Sequence, residues 1–77
     1  FEVPIIVESP LVGKMIRDIP WPKDIVIATV RRGAKEEITR GDTIMRPGDI
    51  LIVVCDEGLV GERFETMTQL SKELPFS

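Results

Sequence analysis

Two six-residue runs, Ile25–Val30 and Ile50–Cys55, constrain this chain more than anything else in it. Each is apolar or near-apolar throughout and rich in β-branched residues. Each is too short for a helix of ordinary length and is bounded by polar turns. Runs of this kind read as interior strands of a sheet. The segments around them supply neighbours. Glu2–Glu8 alternates, with Val3, Ile5 and Val7 on one face and Pro4 marking a sheet edge, because proline donates no ladder hydrogen bond. The polar stretch 31–35 predicts a hairpin returning over 36–39.

Helices are expected at two places. Ser9-Pro10 reads as an N-cap followed by proline at the first helical position. Leu11, Met15 and Ile19 then recur every four residues with Val12 and Ile16 beside them, and Pro20-Trp21-Pro22 ends the helix. From Leu59 the period changes again. Val60, Phe64, Met67 and Leu74 share a stripe with Leu70 beside it, which predicts an amphipathic helix closed by Pro75. Arg40–Thr43 and Arg46–Asp49 read as turns, the second with proline and glycine placed for type II. Thr43–Met45 fits a short extra strand. The fold class is α+β: a small mixed or antiparallel sheet with two helices, in the order β-α-β-β-(β)-β-α.

The 77 residues make one domain, 1–77, and the start at Phe1 directly in a strand reads as a piece of a longer protein. The chain has one cysteine and no histidine, so neither an internal disulfide nor a structural zinc site is available. A domain this small buries only about 60% of its unfolded surface, so a partner surface is expected to add stability. The missing histidine removes Ser-His and Cys-His nucleophile pairs, and no pair of carboxylates with a base appears, so no enzyme activity is expected. Ten basic against 13 acidic residues leave a net charge of −3, unsuited to a dedicated nucleic-acid binder. No apolar run approaches the ~20 residues needed to cross a bilayer.

Four features invite a functional reading beside a plain one. Arg31 and Arg32 point to opposite sheet faces, and either can meet an anion such as phosphate or simply solvate a hairpin end. Trp21, held between two prolines, packs over the core edge or anchors a partner or a base. Asp56, Glu57 and Glu62 suit the dipole of the last helix and lack a recognised metal-loop spacing. Arg40-Gly41-Asp42 spells an adhesion tripeptide but reads as a turn, and Cys55 as a buried small hydrophobe.

Three stretches taken in order resemble a known family. They are Leu11-Val12-Gly13-Lys14-Met15-Ile16-Arg17-Asp18-Ile19, then Ile25–Gly33 running into an arginine-glycine turn, then Gly41-Asp42-Thr43 followed by Gly48–Val54. The family is the C-terminal RCK domain (regulator of conductance of potassium), also called the TrkA C-terminal domain, and the likeness runs over about residues 3–70. It implies a non-enzymatic, cytosolic ligand-sensing domain attached to a potassium channel or uptake system, a cation/proton antiporter, a ClC-type chloride channel or a transcription regulator. It implies a homodimer on the cytoplasmic side of the cell membrane, the membrane-embedded part belonging to the same chain, with a ClC-type host favoured. It implies no cofactor and, in several members, cyclic di-AMP as regulatory ligand in the dimer cleft. That cleft would draw on Ile19 to Asp24, with Ile19 in its wall, Trp21 stacking on a base and Lys23 facing a phosphate, and with Arg31 and Arg32 as further anion contacts. The competing readings are a ligand-free oligomerisation module and an effector domain of a transcription regulator.

Overall fold

The computed structural model of the chain describes residues 1–74. The two apolar runs are the inner strands of a four-stranded antiparallel sheet. Its strands are β1 (Glu2–Pro4), β2 (Ile25–Arg32), β3 (Lys35–Ile38) and β4 (Ile50–Cys55), in the spatial order β1-β4-β2-β3. β2 and β3 form a hairpin closed by Gly33-Ala34, with Arg32 opposite Lys35. Leu51 lies between Val3 and Val30 in register and all three are fully buried. The β2–β4 register shifts between Ile27 and Thr29, which leaves Ala28 as a bulge. Thr39 secures it, its Oγ1–H donating to Ile27 O and its N–H to Ala28 O at 3.2 Å.

One α-helix, α1 (Val60–Lys72), covers one face of the sheet and follows a 3₁₀ turn over Glu57–Leu59. Met67, Leu70 and Leu74 reach the core formed with Val3, Ile5, Leu51 and Val53. Val60 and Phe64 lie at its margin, 37% and 44% exposed. The Phe64 ring meets Phe1 edge-on at 5.7 Å. The helix ends at Lys72; Pro75, expected to close it, lies outside the described residues.

The first expected helix does not form. Ser9 starts one, accepting the Leu11 N–H on its Oγ at 3.2 Å, and Val12 N–H reaches Ser9 O. Gly13 then takes a φ of +83°, in the left-handed region that glycine enters freely, and turns the chain out of the helix. Beyond it the backbone pairs across the molecule. Gly13 N–H donates to Met45 O (2.8 Å), Met45 N–H to Lys14 O (3.0 Å) and Ile16 N–H to Thr43 O (2.9 Å). Groups bonded this way are lost to an i→i−4 ladder. Only a 3₁₀ turn over Ile16–Asp18 remains helical, while Leu11 and Ile19 still reach the core. The extra strand at Thr43–Met45 reduces to a single bridge between Ile44 and Met15.

Two smaller expectations also fail. Val7 does not continue the buried face of Val3 and Ile5; the chain turns at Val7-Glu8 and Val7 is 72% exposed. Cys55 is half-buried beside the core rather than enclosed by it. The type II turn at Arg46–Asp49 is as expected: Gly48 has a φ of +87° and Asp49 N–H donates to Arg46 O at 3.1 Å. The inner strands are covered on one face only. On the other, Val26 and Val54 stand opposite each other, both more than half exposed, with exposed Ile38 on the same sheet.

Candidate functional site

Arg31 and Arg32 divide between the two faces as strand alternation requires. Arg31 lies on the open face, donating to Glu2 at 3.1 Å and standing 3.8 Å from Glu36. Arg32 lies on the helix side and is committed internally. Its Nε–H donates to both Asp49 carboxylate oxygens at 3.1 Å and its Nη2 donates to Ile44 O. Asp49 is buried and also accepts the Arg46 N–H at 2.9 Å. The pair therefore ties the hairpin end to the turn that feeds β4.

Trp21 is at the opposite end of the segment that replaces the expected helix. Its Nε1–H donates to Ile16 O at 2.7 Å and its backbone N–H to Ile19 O at 2.8 Å. Both bonds fold the indole back on the chain, so Trp21 is packed at the core edge and half-buried. It is also one wall of a groove of about 240 Å³. Ile16, Ile25 and Ile27 supply its apolar lining, and Thr39, Arg40 and Gly41 complete it. Arg17 does not line the groove but adjoins Gly41: its N–H donates to Gly41 O at 3.0 Å, and its aliphatic stem lies 3.5–3.8 Å from where a Cβ on Gly41 would stand. Neither Arg17 nor Arg40 forms an ion pair among the described residues. An aromatic side chain, three isoleucines and the Arg40 guanidinium, which has no ion pair among the described residues, suit a flat, anionic ligand such as a nucleotide.

Of the residues singled out in the sequence, Trp21 lines this groove, and Lys23 is exposed two residues away. Ile19 is buried in the core, 5% exposed. Arg31 and Arg32 are not brought beside Trp21. Arg32 lines a second, larger groove of about 360 Å³ with Glu37, Asp42 and Arg46, where acids balance the arginines. Arg40, Gly41 and Thr39 were not legible as groove residues. Thr39 reads as the end of the returning hairpin strand and Arg40-Gly41 as a turn, and the long-range pairing of segments 13–17 and 41–45 brings them to the groove that Trp21 lines.

A further ion pair adjoins the groove. Arg63 on α1 meets Asp24 with both ends of its fork, Nε to Oδ1 at 2.8 Å and Nη2 to Oδ2 at 2.6 Å. The hydrogen bond from Arg63 holds the Asp24 carboxyl below its ordinary value of 3.8, and Asp24 in turn raises Arg63. Among the described residues there is no cluster of three or more metal-ligating side chains, and no helix long and apolar enough to cross a membrane.

The one-helix, four-strand architecture, with its groove beside Trp21, defines a small α+β domain. A family model described as the TrkA-C domain matches residues 1–64, and the chain belongs to that family. A Trk system potassium uptake protein TrkA homolog from Archaeoglobus fulgidus is 40% identical over 53 residues. Those residues are 69% of this chain and 12% of that protein, so the chain spans a small part of its relative. Two solved structures share the fold. One, described as the structure of an RCK domain with cda, has a TM-score of 0.75 at 24% identity, covering 94% of this chain and 96% of its own. The other is the RCK_C domain dimer of S. agalactiae BusR in complex with c-di-AMP, with a TM-score of 0.67 at 23% identity, covering 91% and 95%.

Proposed function

We propose that this chain is the ligand-sensing regulatory domain of a potassium transport system, working as a homodimer on the cytoplasmic side of the membrane. The observation that carries the reading is the Trp21 groove, with its isoleucine lining and the Arg40 charge, in a TrkA-C domain. Cyclic di-AMP is the ligand we assign to it. The groove offers Trp21 as a stacking surface for one purine and Arg40 as a cation for a phosphate, and exposed Lys23, two residues from Trp21 in sequence, is assigned as a second phosphate contact. The solved BusR relative, a dimer in complex with c-di-AMP, supports both the ligand and the assembly. The potassium uptake homolog favours a potassium system as host over a ClC-type channel. Binding acts by population shift: a ligand that prefers one dimer arrangement biases the attached transport machinery toward the state it favours. The domain performs no chemistry in this reading, and it forms part of a longer protein.

The test is a calorimetric titration with cyclic di-AMP, with sedimentation of the same sample. Micromolar or tighter binding at one ligand per dimer supports the reading, and Lys23→Ala should weaken it. No heat from a sample that sediments as a dimer refutes the ligand. It would move the assignment to an oligomerisation module without ligand, the reading that the exposed Val26, Val54 and Ile38 of the open sheet face favour.

A further inference from the structure

The Trp21 groove depends on a short arm, Pro20 to Asp24, that belongs to no strand or helix. Pro20 and Pro22 fix their own φ angles, which stiffens the arm between its ends. Its N-terminal end is secured by Trp21, through the bonds from Nε1 to Ile16 O and from N–H to Ile19 O. Its C-terminal end is secured from outside. Asp24 is held by Arg63, 39 residues further along the chain, in the two-point contact at 2.8 and 2.6 Å. Arg63 sits in the first turn of α1, and its side chain is only 23% exposed, so the helix places it firmly. Its other acidic neighbour, Glu62, stands further off at 3.7 Å and is 77% exposed.

The geometry points to Asp24 and Arg63 as positioning residues for the groove: their ion pair clamps the arm to α1 and keeps Trp21 in place as the groove wall. Neither residue lines the groove itself. The clamp also gives the groove a mechanical connection to α1, so the arm and the helix shift together. This deepens the ligand reading above and rests on it only where cyclic di-AMP is the probe.

Trp21 is the sole tryptophan, so its fluorescence reports on the arm without any ligand. The experiment compares acrylamide quenching of the wild-type chain with Arg63→Gln, Asp24→Asn and the charge-reversed double variant Asp24→Arg/Arg63→Asp. An exposed ion pair shifts an equilibrium by at most about fivefold. Each single variant is therefore expected to quench more steeply, by a factor below about five that the half-exposed wild-type indole keeps toward the low end. The double variant should restore the wild-type slope, and the urea midpoint should barely move. Cyclic di-AMP affinity should fall by the same factor in the single variants and recover in the double one. Wild-type quenching in both single variants overturns the proposal. So does a double variant that quenches like the singles, because the effect would then not belong to the pair. A wild-type chain that ignores cyclic di-AMP refutes the ligand and leaves the quenching result to decide the clamp.

Discussion

Replacing Arg32 with methionine should unfold this domain far more readily than the same change at Arg31, one residue away. Arg32 is 21% exposed through its side chain, and its partner Asp49 only 4%. Methionine keeps most of the packed stem and removes the guanidinium. Asp49 then keeps a buried charge with the Arg46 N–H as its remaining donor. Breaking a buried pair in this way costs about 3–5 kcal/mol, and the residual exposure of Arg32 places this case nearer 2–3 kcal/mol. A chain of this length has a total stability of about 4–12 kcal/mol, so the loss is a large share of it. At about 4–8 °C per kcal/mol the midpoint should drop by roughly 10–20 °C. At Arg31 both acidic partners are about half exposed, and Arg31→Met should stay within about 0.5 kcal/mol. Urea and thermal unfolding followed by circular dichroism measure both. Equal costs at the two positions, or an Arg32→Met loss under about 1 kcal/mol, would refute the argument that burial of Asp49 sets the difference.

Three further outcomes follow from the same structure. Because Arg63 depresses the Asp24 carboxyl below its ordinary 3.8, the pair stabilises the fold above that value. The contribution fades as pH falls through the lower folded value, so Arg63→Gln should remove only a small part of the pH dependence of stability below about pH 4, in keeping with its nearly unchanged midpoint at neutral pH. Gly48→Ala forces a side chain into a φ of +87° and should cost about 1–2 kcal/mol in urea unfolding, although open space surrounds the site. Gly61→Ala, in α1 with nothing within 4 Å of the new Cβ, should stabilise by about 0.5 kcal/mol in the same assay.

Much of this fold is written in local pattern. Ile25–Val30 and Ile50–Cys55 are interior strands because continuous β-branched runs satisfy neither a helix nor an edge. Met67 and Leu70 face the core because their spacing matches the helical repeat, whereas Leu74 reaches it from beyond the helix end at Lys72. Pro47-Gly48 makes its turn because proline and glycine each supply the φ that position needs. What local pattern missed was settled by pairing at a distance. The stretch from Leu11 to Ile19 has helical periodicity, and its cap forms, but Gly13 turns the chain and residues 14–16 exchange hydrogen bonds with 43–45. Once spent across the molecule, those backbone groups cannot serve a helix, and periodicity within nine residues carries no trace of the partner. The groove has the same origin. Trp21 was conspicuous between its prolines, whereas Arg40 and Gly41 read as an ordinary turn until segment 13–17 drew them alongside. Arg31 and Arg32 were alike as letters. Only the tertiary structure left one at the surface and bound the other to buried Asp49, because a side chain's surroundings depend on which strands and turns meet it.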